Sequence, residues 1–489
     1  MRQPHERSAT TPVVLFYTDN GFGLGHLTRL AAVASRAQRR FRPYFLTMSA
    51  GYPLLRKLGF PAEYFPSYGA LRLSKQQWEP LIEQRVLETI RITGACLVVV
   101  DHVSPPGVID ALRSKTDGVK FIWSRRGLWQ PGRNLAALAL SDSFDLIVEP
   151  GDLAAPIDQG PTTKRSHEII PTEPVVMIDR DDFVPRDEAR EVLRIPAGGR
   201  AVLINFGDSN QSEVEGLINL AVTTVKESVE DDIHFFAPLH PLHSGGTTRM
   251  DGVTMRPVYP VARYLNAFDA AISTAGYNSF HEIVGSALPA LFLPRSNSRI
   301  DDQTRRAEFA ALCGRAHWAP HAKGQLFTES VEKMMRPAER EIAEKTTSLL
   351  GDLRGSHEFA DIVAAVLKAS SGCWGVVREE PPPPLGGEQG LRTTVVNAVE
   401  LGDRQLRELA SLLDSSETTR TIVLLGEADP SPLYAREIVF ESVMSPTEWS
   451  SLGVGRYESY IESRLEGMAE RYQSTRMIHA SDLMTSSRP

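Results

Sequence analysis

Short apolar runs alternate with helical stretches through the first 150 residues: Val13 to Thr18, Tyr44 to Thr47, Ala95 to Val100, Lys120 to Trp123 and Leu146 to Glu149 read as strands. This alternation leaves few folds open. Strands that are apolar throughout need cover on both faces, and crossover helices give that cover to a parallel sheet. A second alternating set starts at Ala201 to Phe206 and continues through His234 to Pro238, Val253 to Tyr259, Phe268 to Ile272 and Ala290 to Pro294. Between them, from Gly151 to Gly199, the composition turns to Pro, Asp and Gly, which suits a passage between domains. The expected fold class is α/β, with Rossmann-like domains over 1–165 and 166–375. A Pro/Gly-rich linker is expected over 376–390, and a small α/β appendage of unassigned role over 391–489.

The stretch from Asp269 to Gln303 carries the most chemistry. Its first strand ends in Ser273-Thr274-Ala275-Gly276-Tyr277-Asn278-Ser279, where small residues let backbone approach a ligand closely. A helix starting near Asn278 would aim unpaired N–H groups at that turn, a ready site for a diphosphate. Glu282 lies about one turn further on, where a carboxylate suits both hydroxyls of a ribose. After the run Leu288-Pro289-Ala290-Leu291-Phe292-Leu293-Pro294 come Asp301-Asp302-Gln303, whose acceptor and amide groups suit sugar hydroxyls. A ligand-free Rossmann strand-helix-strand is the plainer alternative.

In this order of parts the chain resembles the donor-binding half of two-Rossmann-domain (GT-B) glycosyltransferases, in particular glycosyltransferase family 28, over roughly residues 12 to 370. Ala287 stands where that family usually has Gly. The resemblance implies two domains facing a cleft and transfer of a sugar from a UDP-sugar, such as UDP-N-acetylglucosamine, to an acceptor hydroxyl. It implies an inverting, metal-independent reaction, with no cofactor beyond the co-substrate. Thr274, Gly276, Asn278 and Ser279 would face the diphosphate, Glu282 the ribose, Asp302 and Gln303 the donor sugar, and Tyr259 with the residues after it the base. Gly207 and Ser209, in the loop after the strand Ala201 to Phe206, would lie near the phosphates or the acceptor.

The N-terminal loop Asp19-Asn20-Gly21-Phe22-Gly23-Leu24-Gly25-His26 is a Gly-rich turn between a strand and a helix. It fits a dehydrogenase fingerprint poorly: the third Gly is missing, and no acid follows the second strand, which runs into Thr47-Met48-Ser49. The Gly-x-Gly-x-Gly-His form instead resembles the acceptor-side loop of family 28, which assigns Gly23 and Gly25 to that side. His26 is the natural general base there, since imidazole titrates close enough to neutrality to take a hydroxyl proton. Asp101, ending the strand Cys96 to Val100, is placed like the Asp of the His-Asp dyad in plant and macrolide UDP-glycosyltransferases. His102 beside Asp101 could replace either in role, and capping or packing roles for His26 and Asp101 stay open.

Composition sets outer bounds. A net charge of −8 argues against a broad nucleic-acid-binding face. The three Cys have no paired spacing, so neither a disulfide framework nor a zinc site is indicated, and a cytoplasmic setting is expected. Trp123 and Trp129 bracket Ser124-Arg125-Arg126-Gly127-Leu128, so that Arg126 would meet an acidic acceptor, the cleft wall, or anionic lipid at the inner face of the membrane. Asp179-Arg180-Asp181-Asp182 has the look of an Asp-x-Asp metal motif, but reads better as an inter-domain acidic turn. Arg295 and Arg299 are candidates to neutralise a leaving diphosphate. A nucleotide-sugar hydrolase or 2-epimerase, or a non-catalytic nucleotide-sugar-binding protein, would use the same scaffold. Oligomeric state is not legible.

Overall fold

The structure, a computed structural model, describes residues 11–18, 24–102, 108–207, 211–239, 250–295, 300–370, 375–377, 392–413, 419–474 and 476–486. The chain opens with β1 (Val13–Thr18), β2 (Arg42–Thr47), β3 (Ala62–Tyr64) and β4 (Leu97–Val100). A two-residue β5 (Thr116–Asp117) stands apart, before β6 (Lys120–Ser124), β7 (Leu146–Glu149) and β8 (Ile169–Pro171). Apart from β5 these form one parallel sheet in the order β3-β2-β1-β4-β6-β7-β8. β1 and β4 are buried along their whole length, which is why their sequences carry no polar alternation.

The second sheet contains β9 (Arg200–Asn205), β10 (Ile233–Leu239), β11 (Val253–Pro257), β12 (Ala270–Ser273), β13 (Ala290–Phe292) and β14 (His317–Trp318). Its order is β11-β10-β9-β12-β13-β14, again parallel throughout. Both sheets follow the doubly wound order, with the chain reversing direction of growth between β1 and β4 and between β9 and β12. Strand ends at such a reversal leave a crevice, the usual seat of a ligand. The expected α/β class and the pair of Rossmann-like domains facing one another are present.

The domain limits differ from the expected ones. β8 extends the first sheet to Pro171, past the boundary at 165. The helix Gly355–Ala369 returns to the first domain, where Phe359, Ala360 and Val363 share a core with Leu27, Leu30 and Ala31 of the helix Gly25–Ser35. Of the expected linker, β15 (Val376–Val377) pairs antiparallel with β5, and 378–390 lie outside the described residues.

The C-terminal segment adds β16 (Arg392–Ala398), β17 (Thr419–Leu425), β18 (Val439–Ser442) and β19 (Arg476–His479), a parallel sheet ordered β18-β17-β16-β19. This small α/β unit packs directly on the first domain. Ile422, Leu424, Met444 and Trp449 lie in one core with Tyr44, Leu46, Trp78 and Ile82 of the first domain. Beside that core sits a buried ionic cluster of Glu63, Arg85 and Glu88 from the first domain with Glu441, Arg464 and Arg471 from the lobe. Arg464 reaches Glu88 at 2.5 Å and Glu441 at 3.1 Å, Arg471 reaches Glu88 at 2.6 Å, and Tyr472 donates to Glu441 at 2.7 Å. Tyr44 and Tyr460 both donate to Glu63, which also pairs with Arg85. Three guanidiniums balance three carboxylates, so no net charge is buried.

Candidate functional site

The two crevices meet across the cleft. On the first side β4 ends at Val100, and Asp101 follows with its N–H donating to Tyr17 O of β1 at 3.1 Å, so the carboxylate sits in the crevice between those strands. The helix Gly25–Ser35 starts beside it and presents His26 from its first turn. His26 Nδ1 lies 2.6 Å from Asp101 Oδ1, and His102 stacks obliquely with ring centroids 5.6 Å apart.

A third group joins the pair. Arg29, one helical turn beyond His26 and 3% exposed, gives its Nε to Asp101 Oδ2 at 3.0 Å and its Nη2 to Oδ1 at 2.6 Å. Ser124 Oγ at the end of β6 also donates to Oδ2, at 2.8 Å. Burial alone would raise the Asp101 carboxyl, but Arg29 and the His26 hydrogen bond hold it well below the usual carboxylate range. Burial lowers the His26 imidazole to about 4 against the pull of Asp101, with the Arg29 charge acting in the same direction as burial.

On the second side the turn after β12 leads into the helix Tyr277–Gly285, whose N-cap is Gly276 and whose first N–H groups have no side-chain cap. A helix start left open at a crevice is an anion site in waiting. Thr274 and Gln303 flank it: a Cβ on Gly276 would lie 3.9 Å from Thr274 Oγ1 and 4.0 Å from Gln303 Nε2. Gln303 Oε1 accepts from Arg295 N at 3.1 Å, which turns its amide nitrogen towards that turn. The Arg295 guanidinium donates to Phe206 O beside Gly207, where φ is +62°, a conformation suited to Gly.

The remaining candidates divide by what they touch. Asn278 Nδ2 crosses the cleft to Gly25 O at 3.1 Å, while its Oδ1 is buried without a partner. Tyr259 OH meets Thr28 Oγ1 at 2.9 Å, also across the cleft, and burial pushes that phenol up to about 12. Ser279 Oγ accepts from Asn205 Nδ2 at 3.2 Å, and Asp302 caps the helix Gln303–Leu312 through Arg305 N at 3.1 Å. Both side chains are thereby held by their own domain. Glu282 is half-buried with Oε1 unpartnered, and burial raises its carboxyl to about 7. It lines a pocket of about 170 Å³ with Asp179, Arg180, Phe183, His281 and His357. Gly23, Ser209 and Arg299 lie outside the described residues.

Charged residues tie the two halves together, and of these Arg29, Asp152 and Arg306 were not singled out in the sequence. Asp301, rather than Asp302, is the ion-paired acid of the Asp-Asp pair. It takes Arg306 at 2.8 Å and Arg126 from the first domain at 3.1 Å, and Arg306 also binds Asp152 at 2.8 Å. Arg29, Arg126 and Arg306 converge on the Tyr277 ring at 5.2, 5.7 and 5.8 Å. The acidic turn is structural in part: Asp179 pairs with Arg36 at 2.8 Å and His357 at 2.7 Å. Among the described residues no group of three His, Cys, Asp or Glu is arranged to hold a metal ion.

Lipid contact through the aromatic-basic segment is corrected. Trp123, Arg125 and Trp129 are all buried, with Trp123 donating to His102 O at 3.0 Å, so this segment is cleft wall and presents no indole to a bilayer. Among the described residues no helix is long and apolar enough to cross a membrane.

No protein-family model matches the chain. Over 156 residues it is 25% identical to a UDP-N-acetylglucosamine–N-acetylmuramyl-(pentapeptide) pyrophosphoryl-undecaprenol N-acetylglucosamine transferase of Salinibacter ruber. That match covers 30% of this chain and 40% of the relative, so the chain spans less than half the length of the curated protein it matches. Among solved structures, MurG of Acinetobacter baumannii is similar at a TM-score of 0.48 and 16% identity, covering 72% of this chain and all of that one. The glycosyltransferase SnogD of Streptomyces nogalater has the same score and identity, covering 73% of this chain and 99% of its own.

Proposed function

We propose that this chain is a glycosyltransferase that moves a sugar from a UDP-sugar to an acceptor hydroxyl, with inversion and without a metal. One observation carries the reading: an imidazole–carboxylate pair at one strand-end crevice faces an uncapped helix start at the other, joined by the Asn278 to Gly25 hydrogen bond. That arrangement supplies the two things such a transfer needs. A group on one side takes the acceptor proton, and a fixed partial positive charge on the other receives the diphosphate.

His26 Nε2 accepts the acceptor hydroxyl proton as that oxygen attacks the anomeric carbon, and the nucleoside diphosphate departs. The helix start at Tyr277 and the Arg295 guanidinium offset the growing negative charge. Glu282 takes the ribose hydroxyls, Gln303 orients the donor sugar, and Arg180, in the same pocket as Glu282, offers a cation to the nucleotide. The choice of UDP-N-acetylglucosamine as donor is supported by the activity named for the Salinibacter relative.

The test is turnover and donor binding measured side by side on His26→Ala and Glu282→Ala. His26→Ala should lose at least about 100-fold in turnover, the usual range for a general base, while calorimetry shows donor affinity kept. Glu282→Ala should lose donor affinity. Donor consumption that needs no acceptor would replace the transferase with a hydrolase or epimerase, and unchanged turnover in His26→Ala would remove the base.

A further inference from the structure

We propose that Arg29 is a positioning residue for His26: it clamps Asp101 so that the carboxylate holds the imidazole in one tautomer, with Nε2 bare and facing the cleft. The inference rests on the reading of His26 as the base, but its geometry stands by itself.

Two polar atoms crowd His26 Nδ1, Asp101 Oδ1 at 2.6 Å and Arg29 Nη2 at 2.9 Å. A guanidinium has only donors, so Nη2 does not accept from the ring. An ionised carboxylate has only acceptors, and 2.6 Å between Nδ1 and Oδ1 needs a proton between them. Asp101 is ionised, because Arg29 touches both of its oxygens. The proton therefore sits on Nδ1 and is donated to Oδ1, which accepts Nη2–H as well. Oδ2 takes Arg29 Nε–H and Ser124 Oγ–H. With four donors the carboxylate is saturated and cannot swing. Among the described residues nothing hydrogen-bonds His26 Nε2.

The clamp also sets the charge balance. In a bare imidazole–carboxylate pair the anion is free to stabilise the imidazolium. Here a permanent cation shares that anion. The charged or titratable groups facing His26 are Asp101 after β4, Arg29 on its own helix and His102 beside Asp101; from the second domain Asn278, which is neutral, reaches the backbone of Gly25. Arg126 is near enough to act on Arg29 and Asp101, and is itself paired with Asp301. Removing Arg29 takes away one cation and returns Asp101 to the imidazole, and both changes favour the protonated ring.

Nitrogen-15 histidine NMR on the ligand-free full chain reads this without any turnover. In the unmodified protein at neutral pH the His26 shifts should report a protonated Nδ1 and a bare Nε2; the opposite tautomer overturns the proposal. In Arg29→Gln the His26 titration should move up by about one unit or more. Arg29→Lys, which keeps the charge but loses the two-oxygen grip, should move it less. Ser124→Ala, removing a neutral donor, should leave it in place. A folded Arg29→Gln or Arg29→Lys whose His26 titrates as in the unmodified protein overturns the clamp. Because the NMR needs no substrate, a correct tautomer with no turnover in any assay would sink the transferase reading and leave the Arg29 assignment standing.

Discussion

Glu282 stands between two protonation states at neutral pH, which makes it a reporter of what binds. Hydroxyls of a ribose donate to a carboxylate, so a bound donor favours the ionised form. The free group, raised to about 7 by burial, is protonated below that value. Nucleotide binding at pH 6 should therefore release a proton, and affinity should fall as pH drops from about 7; calorimetry in two buffers of different ionisation heat measures the release directly. Asp302 allows a sharper separation of roles. Its cap to Arg305 N predicts that Asp302→Ala loses about 1 kcal/mol of stability and that Asp302→Ser recovers most of it, read by chemical denaturation. A direct part in holding the donor sugar would instead leave both variants weak in donor binding. His26 was read from the Gly-x-Gly-x-Gly-His turn, and Asp101 from its place at the end of an apolar run that must be a buried strand. Arg29 was missed although its signal is in the chain: residues three apart on a helix share a face, and Arg29 stands three beyond His26.

Tyr277 works as a pin between elements. Its hydroxyl receives Val175 N–H at 3.0 Å and donates to Gly151 O at 2.8 Å, fastening the helix Tyr277–Gly285 to the segment that joins the domains. Tyr277→Phe keeps the ring and its three guanidinium neighbours but leaves two backbone groups unanswered. It should cost about 1 to 3 kcal/mol in denaturation. The segment that pairs Trp129 with Asp301, with Gln130 N donating to Ile300 O at 2.7 Å, fastens the far wall in the same way. Fully buried strands such as β1, β4 and β12 were legible because burial on two faces writes itself into continuous apolar residues. β3, β8 and β14, of two or three residues, leave no such trace, and their pairing is dictated by neighbours already in place. Arg126 and Asp301 each stood out in the sequence, but their pairing was not legible, because only the fold brings loops 175 residues apart into contact.

At the scale of the whole molecule the C-terminal lobe completes the first domain. Removing Arg471 leaves Glu88 and Glu441 short of a cation in a dry setting; Arg471→Met should destabilise by about 3 to 5 kcal/mol, read as a lowered midpoint in denaturant. Burial would raise the Glu88 carboxyl, but Arg471 and Arg464 outweigh it and hold it below its ordinary value. A carboxylate depressed in the fold lends stability that is present above about pH 4.5 and lost as pH falls, so acid should loosen the lobe from the first domain. The cluster was not legible: Glu63, Arg85 and Glu88 look like surface charge in a sequence, and their partners in the lobe come more than 350 positions later. That distance reverses the usual order of assembly on the ribosome. The second domain, 200–350, leaves the exit tunnel with its sheet whole and can fold at once. The first domain, made earlier, holds Glu63, Arg85 and Glu88 without their partners from the lobe until Arg464 and Arg471 emerge, so a chain stopped short of the lobe would leave that domain unfinished.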